Sequence, residues 1–362
     1  MTIVLNVFVL SVGLDLIKEN EMHYKWKLED LKKVIKNKYT VFSCFSCGGG
    51  SSMGYKLAGY KVIGNCEIDD NMNSMYLKNF NVDYNYKMGV QDFKLLNDLP
   101  LQLYNLDILD GSPPCSTFSM AGEREKNWGK EKKFREGQEK QILSDLFFDF
   151  IDIAERLKPK IIVAENVKGI IAGNAKGYVN AIIKRLDEIG YNTQIFLLNA
   201  ATMGVPQRRE RVFFLARRKD LHLEPISLSF NEKPIYYKEF VDKKYKKMNE
   251  DTMTYKRWLK RINKDSSLGD TVKRTENGKL SGFTSNYCKL NEVPHTITAG
   301  GQIIRFDVPG TLSDKDITTI QSFPQDYDYN GQSVQYVCGM SVPPLMMAKV
   351  AEQIKIQWLD KL

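Results

Sequence analysis

From residue 39 onward the chain alternates short β-branched and aromatic runs with helical stretches, and this alternation constrains the fold more than any other feature. The pattern is typical of βα units, which place their strands side by side in a largely parallel sheet. Strands are predicted at 39–46, 61–66, 106–110, 160–164, 192–198 and 211–216, and helices at 53–58, 70–80, 142–157 and 175–189. We therefore expect an α/β fold that binds its ligands where the carboxyl ends of the strands meet.

The composition excludes several other classes of protein. Of 362 residues, 43% are hydrophobic and 27% are charged, which is ordinary for a folded globular chain and unlike a disordered or collagen-like one. The apolar start at 3–17 contains polar residues and is shorter than the ~20 residues of a membrane span. Six cysteines and three scattered histidines predict reduced thiols and no metal site. We expect a cytoplasmic monomer without a membrane partner.

Positive charge is concentrated in one region, residues 219–290. This region holds sixteen Lys and Arg residues against ten Asp and Glu residues, a net charge of +6 out of +8 for the whole chain. A solvated, lysine-rich surface would explain the charge alone. Tyrosine and tryptophan side chains are interleaved with the cations, and this interleaving favours a module that contacts nucleic acid.

The residues after the first two predicted strands point to a nucleotide-like ligand. Gly48, Gly49 and Gly50 follow the first strand, and residues without a Cβ let a ligand approach the backbone closely. Glu67 ends the second strand, where an acidic side chain often accepts hydrogen bonds from ribose hydroxyls, and Asp92 follows later. A single acid at a strand end is more often a helix cap. The glycine turn, Glu67 and Asp92, in this order along the chain, together predict an adenosine-containing cofactor.

The most specific segment is 111–119, where Cys115 follows two prolines directly. A cysteine on this rigid backbone can serve as a nucleophile, although a lone cysteine is more often a buried structural thiol. Two further clusters favour catalysis. Glu165 follows a buried strand, where burial would keep its carboxyl able to donate a proton, and the run 207–211 supplies guanidinium groups for an anion or a carbonyl.

Together these residues resemble the DNA cytosine-5 methyltransferases, which use S-adenosylmethionine. The family's glycine motif matches 45–54, its Pro-Cys motif 113–119, its Glu-Asn-Val motif 165–167, its Gln-x-Arg-x-Arg motif 207–211 and its closing motif 339–344. Cys47, Ser116 and Met340 stand where the family has glycine, glutamine and asparagine. The resemblance implies a Rossmann-like S-adenosylmethionine-dependent methyltransferase sheet with a smaller target recognition domain.

The resemblance also implies a division of the chain. An N-terminal extension would occupy 1–38, a catalytic and cofactor-binding domain 39–218, a target recognition domain 219–293, and a C-terminal return to the catalytic domain 294–362. The basic region coincides with the implied recognition domain. Double-stranded DNA is therefore the expected partner.

The resemblance further implies a reaction. Cys115 would attack C6 of a cytosine flipped out of a specific duplex sequence, and C5 would then take the methyl group of S-adenosylmethionine, which leaves S-adenosylhomocysteine as product. Glu165 would bind N3, Arg209 would contact the cytosine carbonyl, and Arg211 would support it. The residues implied for the cofactor site are Phe45, Gly48, Gly49, Gly50, Glu67, Ile68, Asp92, Pro114 and Ser341.

Alternative functions stay open from the sequence. The same chemistry could act on a tRNA cytosine, and the three departures from the family motifs would suit a catalytically silent DNA-binding relative. A nicotinamide-dependent dehydrogenase would explain the glycine turn but not the Pro-Cys and Arg-rich motifs. A restriction-modification enzyme with a cognate endonuclease, an orphan methylase and a phage methylase would share these residues, in a bacterial or phage-infected cell.

Overall fold

The structure, a computed structural model, describes residues 23–114, 146–172, 175–276, 278 and 285–362, together with the backbone of 131–132 and 141–142. Cys115 and Ser116 lie outside these residues. Among the described residues, no helix is long and apolar enough to cross a membrane.

The main sheet and two smaller sheets are built from the strands that follow. The strands are β1 (Thr40–Cys44), β2 (Lys61–Cys66), β3 (Tyr84–Tyr86), β4 (Ile108–Gly111), β5 (Glu131–Lys132), β6 (Gln141–Ile142), β7 (Ile161–Val167), β8 (Tyr191–Asn199), β9 (Glu210–Arg218), β10 (Lys246–Lys247), β11 (Tyr287–Cys288), β12 (Ile304–Arg305) and β13 (Gly310–Thr311). The helices are α1 (Gly50–Leu57), α2 (Asp70–Asn79), α3 (Val90–Phe93), α4 (Leu146–Leu157), α5 (Lys176–Glu188), α6 (Met253–Trp258), α7 (Leu268–Glu276), α8 (Asp314–Ile320), α9 (Val334–Met340) and α10 (Pro344–Gln357).

The main sheet has seven strands in the order β3-β2-β1-β4-β7-β9-β8. The first five strands in this order, from β3 through β7, are parallel to one another. Strand β9 runs antiparallel to both of its neighbours, β7 and β8. The prediction of a largely parallel α/β sheet is confirmed. The chain leaves β1 towards β2 and β3 and then returns to β4 on the other side of β1, which creates a switch point at the carboxyl ends of β1 and β4.

Successive side chains along the strands point to opposite faces of the sheet, and each face packs against its own apolar layer. Val41 belongs to the layer that contains α1, α2 and α10, and its neighbour Phe42 belongs to the layer that contains α3, α4 and α5. Both faces of the sheet are therefore covered, as a parallel sheet requires. This burial explains why the predicted strands read as nearly continuous apolar runs.

Several predicted boundaries are wrong. The helix predicted at 53–58 begins earlier, at Gly50, because Gly49 adopts φ 75° and serves as the N-cap before any serine can. Ile142 pairs with Glu131 in a two-stranded ladder, so the helix predicted from 142 begins at Leu146. The strand predicted to end at 164 continues to Val167 because it pairs with β9 over that length.

A second sheet combines strands of the basic region with strands that follow it in the sequence. Its order is β10-β13-β12-β11, and its small apolar core includes Trp258, Leu268, Tyr287 and Ile304. Two of its strands come from before residue 293 and two from after it. The boundary at 293 therefore divides a single sheet, and the limits of the target recognition domain stay a prediction.

The described part of the N-terminal extension packs on the rest of the chain. Trp26 donates its indole N–H to the carbonyl of Ser322 over 2.8 Å, and the backbone N–H of Leu28 donates to Asp326 over 2.7 Å. The ring of Tyr24 meets that of Phe240 edge to face. Residues 23–38 thus link the last part of the catalytic region to the start of the basic region.

Candidate active site

A cavity of about 360 Å³ opens at the carboxyl ends of β1, β2, β4 and β7. This is the switch point of the sheet, where ligands of open α/β folds bind. Its described lining consists of Phe45, Cys47, Cys66, Glu67, Ile68, Asp69, Met72, Met88, Gly89, Val90, Gln91, Ser112, Pro113, Pro114, Leu146, Glu165, Asn166, Val167, Arg209, Arg211, Tyr336, Gly339 and Met340. The cavity brings together residues of all the motifs that the sequence analysis singled out.

The turn after β1 has a tight backbone that is held from two sides. Phe45 and Cys47 both adopt positive φ values, 55° and 44°, a region that L side chains rarely occupy. The N–H of Cys47 donates to Glu67 over 2.8 Å, and the hydroxyl of Tyr327 donates to the carbonyl of Gly48 over 2.7 Å. The left-handed conformation at 47 is one that glycine adopts more readily, so Cys47 is tolerated there at some cost in strain.

The three glycines of this turn lie against protein rather than among the described residues that line the cavity. A Cβ on Gly48 would lie 2.6 Å from Val337 Cγ1, and one on Gly50 would overlap the carbonyl of Val342. On Gly49 it would overlap the ring of Phe80. The absent side chains therefore let the 337–342 segment and Phe80 close over the turn. Direct contact of these glycines with a cofactor stays a prediction.

Glu67 lies where the sequence predicts it, at the end of β2 and in the wall of the cavity. One carboxylate oxygen accepts the N–H of Cys47 and the other accepts that of Asp69, over 2.8 and 2.9 Å. Burial raises the pKa of the Glu67 carboxyl, and the two backbone hydrogen bonds oppose that rise. Each oxygen keeps a lone pair that can accept a ligand hydroxyl. Ile68 lines the cavity beside it.

Asp92 lies beside the cavity without belonging to its described lining. Its side chain is exposed on the short helix α3, and the described lining of the cavity includes Gly89, Val90 and Gln91 instead. A Cβ on Gly89 would lie 3.7 Å from Oδ2 of Asp92, so this carboxylate stands next to a residue that lines the cavity. Contact of Asp92 with a cofactor stays a prediction.

Beneath the glycine turn lies a partly buried network of amides that the sequence analysis missed. Asn65 on β2 donates to Ser46 over 3.1 Å, and Asn85 on β3 donates to Asn65 and Asn73 over 2.9 and 2.7 Å. Asn65 is completely buried. Amides are unusual inside strands that pack in a core, and this property of the sequence could have identified them. The network fixes the backbone from which the turn departs.

Pro113 and Pro114 leave β4 at the floor of the cavity. The side-chain amide of Asn166 donates to the carbonyl of Pro113 over 3.1 Å. The Pro-Pro segment and the Glu-Asn-Val segment are therefore joined directly, as their positions on the neighbouring strands β4 and β7 allow. Cys115 comes next in the sequence, outside the described residues.

Glu165 and Arg211 form a nearly buried ion pair in the wall of the cavity. Nε of Arg211 lies 2.8 Å from Oε1 of Glu165, and the two side chains are 13% and 10% exposed. The guanidinium also donates to the carbonyl of Glu210. Burial lowers the pKa of Arg211, and the charge of Glu165 opposes that shift. The pair presents a carboxylate of fixed orientation beside a cation, which suits recognition of an amidine-like base edge.

Arg209 is more deeply buried and is occupied by the backbone. Its guanidinium donates to the carbonyls of Ile297, Gly339 and Ser341 over 2.8 to 3.0 Å. Its Nε has no hydrogen-bond partner among the described residues, although Arg209 also lines the cavity. Burial lowers the pKa of Arg209 below its usual range. Most of its donors hold the closing motif against the sheet.

The closing motif reaches the cavity through residues other than the predicted one. Ser341 is buried, its carbonyl accepts from Gln321 as well as from Arg209, and its Oγ lies 4.0 Å from Cys47 Sγ. In the described lining the motif contributes Gly339 and Met340, and Tyr336 stands just before it. Binding of a cofactor by Ser341 itself stays a prediction.

The fold and the site together define a class. A seven-stranded sheet with one antiparallel strand near its edge, a cavity at its switch point and an adjoining small β domain describe a Rossmann-like methyltransferase with an appended module. Solved structures with this fold include a DNA modification methyltransferase encoded within an E. coli prophage, with a TM-score of 0.63, 19% identity and coverage of 88% of this chain and 99% of that one. A DNMT2 mutant from Spodoptera frugiperda matches with a TM-score of 0.59 and 18% identity, over 88% of this chain and 99% of that one.

The chain belongs to the family described as C-5 cytosine-specific DNA methylase, whose profile matches residues 39–356. It is similar to the Type II methyltransferase M.FnuDI of Fusobacterium nucleatum, with 28% identity over 348 residues, 89% of this chain and 95% of the relative. M1.HphI of Haemophilus parahaemolyticus is 25% identical over 333 residues, 87% of this chain and 86% of that one. The family resemblance and the enzyme class, DNA cytosine-5 methyltransferase, are confirmed, and the dehydrogenase alternative is set aside.

Proposed function

We propose that this chain transfers a methyl group from S-adenosylmethionine to C5 of a cytosine that is flipped out of a specific double-stranded DNA sequence. The observation that carries the proposal is the Glu165–Arg211 pair, which lines the same cavity as the Pro113-Pro114 turn. A carboxyl beside a fixed cation is the set of groups needed to stabilise charge on a pyrimidine attacked at C6. Membership of the C-5 cytosine-specific family identifies the target atom.

The residues of the cavity fit S-adenosylmethionine. Its volume of about 360 Å³ lies within the range of ligand pockets. Its lining combines apolar side chains with the carboxylates of Glu67 and Asp69 after β2 and that of Glu165 on β7. Glu67 would accept the ribose hydroxyls, and Phe45 and Ile68 would contact the adenosine. When bound, the cofactor supplies an electrophilic methyl group on a sulfonium.

The chain's own residues divide the remaining work. Cys115 would form a bond to C6 of the cytosine, which makes C5 nucleophilic, and loss of the C5 proton would later release the thiolate. Glu165 is paired with Arg211 and is therefore a carboxylate, not the protonated acid that burial alone predicted. It would accept a hydrogen bond from the N4 amino group of the cytosine and would hydrogen-bond N3 once N3 takes up a proton. We assign the contact with the cytosine carbonyl to Arg211 rather than to Arg209, because most donors of Arg209 already bind backbone carbonyls. Arg209 would then hold the closing motif in place.

The basic region would bind the duplex. Its net charge of +6 over 219–290 suits contact with phosphates, and the small sheet gives its loops a rigid base. Since a stacked cytosine is inaccessible, the base must leave the helix to reach the cavity. The cytoplasm of a bacterial or phage-infected cell would provide both DNA and cofactor.

Transfer of tritiated methyl groups tests the proposal. The full-length protein should label duplex DNA and not tRNA, and Cys115→Ala should abolish labelling. Duplex DNA with 5-fluorocytosine at the target position should become covalently attached to the wild-type protein when S-adenosylmethionine is present, because fluorine stands in place of the C5 proton and cannot be eliminated as a cation. Labelling of tRNA alone would refute the DNA substrate, and transfer by Cys115→Ala at the wild-type rate would refute the covalent mechanism.

The cellular role has a separate test. The relatives include proteins named Type II methyltransferases and the orphan methyltransferase M.SPRI of Bacillus phage SPR, which is 33% identical over 181 residues, 50% of this chain and 38% of that one. We propose modification of one short motif, with a cognate restriction endonuclease as a candidate partner. Sequencing for 5-methylcytosine in a host that expresses the gene would identify the motif. A methyl signal spread over unrelated sequences would refute sequence-specific modification.

A further inference from the structure

Asp110 is a buried acidic residue near the end of β4, just before the Pro-Pro segment. It occupies the penultimate position of β4, is 2% exposed, and stands three residues before Pro113. In the sequence it is a charged residue at the end of an otherwise apolar strand. None of the steps in the proposed reaction uses it.

Three hydroxyl groups converge on this carboxyl from two other elements. Ser43 of β1 donates to Oδ2 over 2.8 Å, and Tyr55 of α1 donates to Oδ1 over 3.2 Å. Ser51, also on α1, forms a third hydrogen bond. The three donors are themselves buried. The carboxyl is thus satisfied by neutral hydroxyls, not by a cation.

The elements that Asp110 joins are those that carry the two halves of the site. Strand β1 leads into the turn 45–49, and α1 begins directly after that turn. Strand β4 leads into Ser112 and the Pro-Pro segment, which line the cavity with Phe45 and Cys47. Because Asp110 belongs to β4 and is hydrogen-bonded to β1 and α1, its carboxyl fixes the distance between the turn 45–49 and the Pro-Pro segment.

We propose that Asp110 is a positioning residue, which holds the Ser112–Pro114 segment in register with the cofactor turn so that methyl donor and attacked base meet in a productive geometry. This role presupposes the proposed methyl transfer. Misplacement of reacting groups by about 1 Å can reduce a rate by about 100-fold while binding is retained. The contribution of Asp110 should therefore be found in kcat rather than in affinity for the cofactor.

The ionisation of Asp110 gives this role a signature. Burial raises the pKa of Asp110 to about 7, and its hydrogen bonds with Ser43, Tyr55 and Ser51 oppose that rise. The ionised carboxylate accepts from all three hydroxyls, whereas the protonated acid must use one oxygen as a donor. The other titratable groups that face it are Cys44 on β1, Tyr55 on α1, Tyr76 on α2 and Glu165 on β7. The wild-type kcat should rise as the pH increases through about 7.

Asp110→Asn tests the role in the full-length protein. We expect kcat for methyl transfer to duplex DNA to fall about tenfold, with the dissociation constant for S-adenosylmethionine, measured calorimetrically without DNA, changed by less than about twofold. The inflection of kcat near pH 7 should disappear. Hydrogen exchange at the amides of Gly111 and Ser112, measured without DNA or cofactor, should become faster.

Asp107→Asn is the matched control. Asp107 precedes the same strand, is buried, and bonds Thr40 of β1 and Lys160, but at the end of β4 away from the cavity. Its substitution should lower the melting temperature and leave kcat within about twofold of wild type. An equal loss of kcat in both variants would overturn the positioning role.

The remaining outcomes separate this role from the proposed function. An active wild-type protein together with an Asp110→Asn variant of unchanged kcat, or one that keeps the inflection near pH 7, overturns the role of Asp110 alone. A wild-type protein without methyl transfer overturns both. Should Asp110→Asn fail to fold, Tyr55→Phe and Ser43→Ala each remove one donor and leave the carboxyl in place. Each should lower kcat about threefold, and unchanged rates in both would again overturn the role.

Discussion

Replacement by alanine should change the free energy of unfolding in opposite directions at two helical glycines of this chain. Gly54 lies inside α1 and Gly177 near the start of α5, and neither has a positive φ. Alanine is favoured over glycine in a helix by about 1 kcal/mol, so helix propensity alone predicts that both substitutions stabilise the protein. The neighbours of the two residues differ.

At Gly54 the new methyl group would meet backbone. A Cβ there would lie 2.5 Å from Met347 Cβ and 2.6 Å from the carbonyl oxygen of Pro344, both on α10. The favourable separation is about 3.5 Å, so the two helices would have to part by roughly 0.9 Å. Overpacking of this kind costs about 1–3 kcal/mol. After the gain in helix propensity, we expect a net loss of about 1 kcal/mol and a fall in melting temperature of about 2 °C.

At Gly177 the same methyl group would have no atom within 4 Å among the described residues. Gly177→Ala should therefore raise the free energy of unfolding, by about 0.5 kcal/mol near a helix start. Urea denaturation followed by circular dichroism measures both variants against wild type. If Gly54→Ala stabilised the protein as much as Gly177→Ala, the close contact of α1 with α10 would be refuted.

Three further perturbations have defined outcomes. Arg211→Ala leaves the Glu165 carboxyl buried without its cation, so methyl transfer should be lost and the free energy of unfolding in urea should fall by about 3–5 kcal/mol. Arg208→Ala removes an exposed ion pair and should lower the free energy of unfolding by at most about 1 kcal/mol. Equal losses in the two variants would refute the difference in burial. Folding raises the pKa of Asp110 from 3.8 to about 7, so the folded state binds this proton more tightly than the unfolded state does. The free energy of unfolding of the wild type minus that of Asp110→Asn should therefore decrease between about pH 4 and 7, by up to about 4 kcal/mol. A difference that does not change with pH would contradict the raised pKa. Asn65→Leu removes a donor to the glycine turn and should weaken binding of S-adenosylmethionine about tenfold by calorimetry, whereas unchanged affinity would show that the amide network does not shape the turn.

The sequence predicted the sheet well because its signals are local. Buried parallel strands must be continuous apolar runs, and each predicted strand of the main sheet overlaps an observed one. Short motifs at strand ends also came together correctly, since parallel strands bring their carboxyl ends to one edge. Glu67, Pro114 and Glu165 all line the same cavity.

What the sequence did not predict depends on partners that are distant in the chain. The spacing within the Gln-x-Arg-x-Arg motif does not show that Arg209 faces the carbonyls of residues 297, 339 and 341 while Arg211 faces Glu165. The glycine turn suggested room for a ligand, yet its missing side chains are matched by Phe80 and the 337–342 segment. The contacts of Arg209 join residues 88 to 132 positions apart. Those of the glycine turn with Tyr327 and Ser341 join residues 279 and 294 positions apart.

The packing of α10 on α1 has a consequence for how the gene can vary. Helix α1, which follows the glycine turn, is covered by α10, and the basic region lies between them in the sequence. A stop codon anywhere in that intervening stretch would remove α10 and leave the apolar face of α1 exposed to water, so we expect the shortened product not to fold stably. Within the basic region, exposed positions can vary without disturbing this packing, whereas Ile226, Tyr237 and Phe240 are buried in the same core as α1 and α10 and are constrained with them.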